Sequence, residues 1–264
     1  MKPNWTERLA GGWAWLVLAL LNLPILVVVV LSFNEGRVLS FPPRGLSLHW
    51  YEAYFASARW KLATLNSFKV ATATVLIGVP IGVLASFALV RGDFPGRKLV
   101  LTLVSAPLLL PGIIVAIALY FFFARLGMIG TFPAMALAHI AITVPIVVIS
   151  VNASLSTVDE NLELAAAGLG ANRWQVFWHV SRPLMQPGIL TGAAFAFLMS
   201  FDELPIALFI SGTLGETLPA RMWSSLKDEL DPIIAVVSTL LIVVTVALSL
   251  AGFYVQQRRG SGIR

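Results

Sequence analysis

Apolar runs of about 20 residues recur along this chain, and each is long enough to cross a hydrocarbon core about 30 Å thick. They fall near 13–33, 66–90, 99–124, 133–151, 188–210 and 232–255. In lipid every backbone N–H and C=O must be satisfied within the segment, so such runs are read as helices. Only 12% of the 264 residues are charged and 58% are hydrophobic, with a mean hydropathy of +0.86. A soluble domain of this size carries about twice that charged fraction. The expectation is an all-α polytopic membrane protein with six transmembrane helices, forming a single transmembrane domain over 1–264.

The net charge of +5 does not point to nucleic acid, because the basic residues are scattered singly between apolar runs. They read instead as topology signals. Lys2, Arg8, Arg91, Arg97, Lys98, Arg173, Arg182, Arg258, Arg259 and Arg264 gather on the side of the termini, which places both termini in the cytoplasm. The first run is too long for a signal-peptide core and is expected to be a retained helix. Residues 34–61 are expected to form an external loop and an interfacial helix bearing Trp50, Tyr51, Tyr54 and Phe55. Lys69, near the start of the second span, is expected to reach the surface along its own stem. Pro107 and Pro111 lie inside the third.

There is no cysteine, and His49, His139 and His179 are far apart without an HExxH pattern, so no metal centre is expected. No GxxxxGK[ST], G-x-S-x-G or HExxH occurs, which leaves nucleotide hydrolysis and membrane proteolysis without visible residues. No cofactor is expected on this chain.

One segment breaks the apolar rhythm. Residues 162–189 read LELAAAGLGANRWQVFWHVSRPLMQPGI. Small residues and two glycines, Gly168 and Gly170, allow another backbone to approach closely. Thr157 and Glu160 have capping-box spacing, so a helix is expected to start there. Asn172 is placed to cap a second helix whose Trp174, Phe177 and Trp178 share a face, and Pro183 and Pro187 are expected to break it. The loop, about 154–187, reads either as a docking surface or as an amphipathic hairpin resting on lipid.

Asp202 and Glu203 sit about 14 residues into the fifth span, where each carboxylate costs on the order of 3 kcal/mol. Neighbours on a helix are about 100° apart, so both cannot point one way, and Pro205 weakens the ladder beside them. They read as the lining of a path for a cationic solute, or as an inter-helix contact that holds the bundle.

The organising segment resembles the coupling loop of permease subunits in binding-protein-dependent ABC importers, whose pattern is Glu-Ala-Ala, three residues, Gly, nine residues, Ile-x-Leu-Pro. Gly170 takes the Gly place, Ala165 and Ala166 the Ala pair, Val180 the Ile and Pro183 the Pro. Leu164 stands where the Glu belongs, Glu163 is one place early, and Arg182 replaces the Leu. SLHWY at 47–51, SFDELPIALFISG at 200–212 and TLPARMWSSLKDELDPIIAVVSTLLI at 217–242 further resemble the spermidine/putrescine type of this family.

The resemblance implies a type I importer permease (MetI-like) fold in the bacterial inner membrane. It implies a second permease, an ATPase dimer carrying ATP and Mg, an extracytoplasmic solute-binding protein and a small-molecule substrate. Glu163, Leu164, Ala165, Ala166, Gly168, Gly170 and Pro183 would engage the ATPase, and Asp202 and Glu203 the solute. An opine or amino-acid derivative is the alternative cargo. An ion-coupled secondary carrier using Asp202 or Glu203 is the alternative class.

Overall fold

The computed structural model describes residues 5–212, 215–228 and 231–260, with side chains over 11–212, 215–227, 231–247 and 250. Lys2 and Arg264, counted above in the charge asymmetry, lie outside the described residues, as do 213, 214, 229 and 230 of the connector before the sixth span. In chain order the helices are α1 (Trp5–Leu31), α2 (His49–Ala56), α3 (Ala58–Arg91), α4 (Arg97–Leu109), α5 (Gly112–Arg125), α6 (Phe132–Leu155) and α7 (Glu160–Gly168). A helical run follows, made of α8 (Arg173–Val176), a π turn (Phe177–Ser181) and α9 (Arg182–Leu184). The chain continues through α10 (Gln186–Phe201), α11 (Pro205–Ile210), α12 (Leu218–Asp228) and α13 (Ile233–Gly260). Among the described residues there is no strand, only an isolated antiparallel bridge between Asn34 and Leu46.

The six apolar segments are all helical, but two of them are broken. By length and composition α1 (from Gly11), α3 and α6 can each cross a membrane, and α13 is apolar over Ile233–Ala247. The third expected span is instead a bent pair, α4 and α5, meeting at 106°. Leu110 is forced into extended geometry by Pro111, which then starts α5. The fifth expected span, 188–210, is interrupted at 202–204 between α10 and α11, and a separate bend of 72° at Met185 precedes it, where the run ending in α9 meets α10. Pro183 does not break the helix as expected. The wider pairing of the π turn, in which Arg182 N–H bonds the Phe177 carbonyl, precedes it and lets the ring sit at the start of α9.

The chain divides into two compact units, with the division falling inside α3 and α12. The first comprises 1–61 and 222–264. In it α13 packs on α1 and on α2. The loop after α1 is tied down by its own polar groups. The Ser32 and Tyr51 hydroxyls lie 2.7 Å apart, and the buried Asn34 amide donates to the carbonyls of Gly36 and Val38 at 3.0 and 2.9 Å. Helix α1 shows apolar residues on all sides, with Trp15 75% and Leu21 67% exposed, a surface suited to lipid or to another membrane helix.

The second unit, 62–221, is built around α6, which is buried on most of its circumference and apolar throughout. Thr131 caps it and Pro133 sits in its first turn. Helix α10 lies along α6 at very short range. A Cβ on Gly188 would come within 2.6 Å of the Ser150 carbonyl oxygen, so only glycine permits this approach. Two apolar clusters result. Phe123, Met135, Ile142, Ile206 and Ile210 fill one between α5, α6 and α11, while Val83, Val147, Val151, Leu155 and Met185 fill the other.

Helix α3 starts eight residues before the expected boundary and runs 34 residues, about 50 Å at 1.5 Å per residue. Lys69 is therefore well inside the helix rather than near its start. It lines a cavity of about 410 Å³ together with Asn66, Thr131 and Ser211.

Candidate functional site: coupling segment and acidic break

Helix α7 begins two residues later than the capping-box spacing suggests. Thr157 spends its hydroxyl on the Ser154 carbonyl at 2.7 Å, and Asp159 is the cap, accepting from Asn161 N–H at 2.9 Å. Asp159 is the nearer acceptor and also places negative charge at the positive helix end. The helix closes in a Schellman motif. Gly170, at φ +93°, donates to the Ala167 carbonyl at 3.0 Å, and Ala171 donates to that of Ala166 at 3.1 Å. The small residues leading to Gly170 thus end α7 and turn the chain into α8. There Asn172 and Gln175 form a reciprocal capping box at 2.9 and 2.8 Å, as the sequence predicts.

Ala165, Ala167, Gly168 and Gly170 are exposed, and among the described residues nothing beyond the adjoining backbone comes within 4 Å of a Cβ built at Gly168 or Gly170. Leu162, Leu164 and Leu169 stand beside them, 49%, 67% and 90% exposed. A shallow cavity of about 360 Å³ opens between α7 and the following helical run, lined by Ala166, Leu169, Gly170 and Val176. Pro183 is exposed on α9. The aromatic trio shares a face as expected, with the Trp174 ring 6.1 Å from Phe177 and 5.5 Å from Trp178, and Phe177 5.6 Å from Trp178. Phe177 turns inward onto Phe87, with ring centroids 5.7 Å apart, whereas Trp174 is exposed and Trp178 carries the Arg182 guanidinium 4.7 Å above its ring.

Glu163 is different. Its carboxylate points into the chain, accepting from Arg91 Nε at 3.2 Å, from Arg91 Nη2 at 3.2 Å and from Ser181 Oγ at 2.9 Å. Arg91 and Glu163 are only 13% and 15% exposed. Nothing in the sequence pairs residue 91 with residue 163, which lie on different helices.

Asp202 and Glu203 are not on a helix. They form, with Leu204, the break between α10 and α11, so the expected angular separation around a helix does not apply. Glu203 Oε1 accepts from Ile206 N–H at 3.1 Å and so caps α11, while Asp202 is exposed at the end of α10. Pro205 opens the helix here because it cannot donate to the ladder.

Two residues before the break lies a polar group that the sequence reading passed over. His139, in the middle of α6, is fully buried, with Nδ1 2.8 Å from Ser200 Oγ. Ser200 Oγ donates to Thr74 Oγ1 at 3.3 Å, so Nδ1 is the donor to Ser200. The chain of hydrogen bonds joins α3, α6 and α10. An isolated histidine in an otherwise apolar span was its one visible signal. Among the described residues no group of three or more His, Cys, Asp or Glu is placed to hold a metal ion.

Bent spans, an exposed small-residue helix outside them and an acidic break within one define a transport subunit, and comparison with known proteins gives the family. Residues 78–260 match the binding-protein-dependent transport system inner membrane component family, and the chain belongs to it. It is a multi-pass inner-membrane permease. It is 30% identical over 241 residues to the spermidine/putrescine transport system permease protein PotC of Haemophilus influenzae, covering 91% of this chain and 93% of that protein. It is 34% identical over 181 residues to the molybdenum transport system permease protein ModB of Escherichia coli, covering 62% of this chain and 79% of that one. The fold matches a crystal structure of a bacterial ABC transporter that imports the acidic polysaccharide alginate, with TM-score 0.71, 15% identity and 97% and 99% of the two chains covered. The same is true of an alginate ABC transporter in complex with an alginate pentasaccharide-bound periplasmic protein, with TM-score 0.68, 19% identity and 92% and 94% covered.

Proposed function

We propose that this chain forms half of the translocation pathway of an ATP-driven importer for a small cationic solute such as spermidine or putrescine. The observation that carries the reading is the 30% identity to a spermidine/putrescine permease across 91% of the chain. A second permease completes the pathway, an ATPase dimer carrying ATP and Mg docks beneath it, and an extracytoplasmic binding protein delivers the solute. The periplasmic protein bound to the alginate transporter of the same fold supports the last of these.

The face of α7 bearing Leu164, Ala165, Gly168 and Gly170 docks into the ATPase, for it is exposed among the described residues and the glycines admit a close partner. The charge asymmetry of the sequence supports a cytoplasmic side for the α7 segment and for both termini. Closure of the ATPase dimer then biases the permease between inward-open and outward-open states through contacts made in only one of them. Asp202, exposed beside the helix break, attracts the cation on its way, while Glu203 holds α11 in place.

A second reading keeps the machinery and changes the cargo to a carboxylate-bearing solute such as an opine or amino-acid derivative. Lys69 in the cavity with Asn66, Thr131 and Ser211 favours it, since an ammonium there repels polyamines and attracts carboxylates. Pull-down of the tagged chain from native membranes, followed by titration of the co-purified binding protein with spermidine, putrescine and amino-acid derivatives, tests both. Polyamine binding supports the first. Binding of carboxylated solutes alone supports the second, and recovery of an active chain without any ATPase overturns both.

A further inference from the structure

Glu163 occupies the coupling helix yet faces away from the surface offered to the ATPase, and its oxygens are already engaged by Arg91 and Ser181. Arg91 stands in the last turn of α3 and uses every guanidinium nitrogen. Nε and Nη2 fork onto Glu163, Nη2 also reaches the Val158 carbonyl at 3.0 Å, and Nη1 meets Glu160 at 2.9 Å. Glu160 is 68% exposed and peripheral. The Arg91–Glu163 pair is largely shielded from solvent, bidentate and backed by a hydroxyl, an arrangement that holds orientation as well as distance.

We propose that Arg91 and Glu163 are positioning residues that hitch α7 to α3, so that a displacement of α7 moves α3 with it. Ser181 brings in the third member. It is the last residue of the π turn and fully buried, so the same carboxylate ties α7 to the helical run that leads into α10. Local π geometry of this kind re-aims side chains at functional places in helices.

Helix α3 is suited to carry the displacement onward. About 26 Å from Arg91, at 1.5 Å per residue, its Thr74 is bonded to Ser200. One and a half turns beyond, Phe68 packs on Phe201 at 5.0 Å, directly before Asp202. Ser67 accepts from Leu218 N–H at 2.8 Å. A helix clamped at one end to the coupling segment therefore touches the end of α10, next to the acidic break, and lines the cavity of Lys69 with its other half. Glu163 thus acts through Arg91 and not through the ATPase surface.

The inference rests on docking through α7, and the experiment separates the two. The complex of both permeases, ATPase and binding protein is prepared with Arg91→Ala, Arg91→Lys, the reversed pair Arg91→Glu/Glu163→Arg, and Leu164→Asp on the exposed face. The readouts are ATPase retained in pull-down and solute imported per ATP in proteoliposomes. Arg91→Ala is expected to retain the ATPase while import per ATP falls about tenfold, the size of an ordinary coupling between sites. Arg91→Lys should recover part of it and the reversed pair most of it, whereas Leu164→Asp loses the ATPase itself. Wild-type import per ATP in Arg91→Ala overturns the hitch, and so does loss of the ATPase from that variant, which would make the pair part of the docking surface. If Arg91→Ala does not accumulate in the membrane, the reversed pair decides. Recovery of both membrane level and coupling supports the pairing, and failure of either overturns it. A wild-type eluate without ATPase would overturn docking and this inference together.

Discussion

Nδ1 of His139 lies 2.8 Å from Oγ of Ser200, in the buried contact between α6 and the last turn of α10. His139→Leu removes one of the two hydrogen bonds of Ser200, whose hydroxyl keeps Thr74 as its partner, and should cost about 0.5–1.5 kcal/mol, the net worth of one such bond. Ser200→Ala should cost less when added to it than when made alone, because the bond to His139 is then already gone. Thermal unfolding of the two single variants and the double variant in detergent checks this, and strictly additive losses would show that the two residues do not act as a pair.

Gly188→Ala places a Cβ 2.6 Å from the Ser150 carbonyl oxygen, where the backbone has to move. Overpacking of this kind costs about 1–3 kcal/mol, so a lower melting temperature and a less monodisperse elution profile are expected. Gly168→Ala is the contrasting case, for its Cβ meets nothing among the described residues. It should leave the fold as stable as before, or slightly more so through helix propensity, while uptake falls if a partner backbone lies against that face. Equal behaviour of the two variants would count against docking through α7.

Gly170→Val forces a β-branched residue to φ +93° and should unravel the Schellman motif. Gly170→Asn, which tolerates the left-handed region, should keep the turn with a smaller loss. Circular dichroism and membrane level should rank Gly above Asn above Val. Gly170→Asp should insert normally and lose transport, because a charge then projects from an exposed turn.

Asp202→Asn and Glu203→Leu should separate in effect. Glu203→Leu removes the cap of α11 and should cost about 0.5–2 kcal/mol, measurable as a drop in melting temperature. Glu203→Gln keeps an acceptor oxygen and should be close to neutral. Asp202→Asn should leave the melting temperature unchanged and reduce uptake of a cationic solute. Undiminished uptake would leave Asp202 without a part in the path.

The helical membrane class, the six apolar segments, the end of α7 at Gly170 and the cap at Asn172 were legible in the sequence, because each follows from local rules. Length and hydropathy set a membrane helix. A small-residue run ending in glycine sets a Schellman turn, and an Asn three residues before Gln sets a capping box. The two broken spans were legible only in part. Pro111 and Pro205 mark helix breaks, but the 106° angle of one pair depends on packing against neighbouring helices.

What tertiary structure alone decided is which polar groups meet. Arg91 and Glu163 are 72 residues apart, and His139 and Ser200 are 61 apart. No periodicity joins them. Glu163 sits among the residues of the coupling pattern and is turned inward because a guanidinium waits at the end of α3. Asp202 and Glu203 look equivalent in the chain, yet one caps a helix and the other is exposed, because a proline two residues on opened the helix between them. Sequence sets the local conformation and the solvent each segment tolerates. The partner of a buried charge is set by the three-dimensional packing, since desolvation makes an unpaired one too costly to keep.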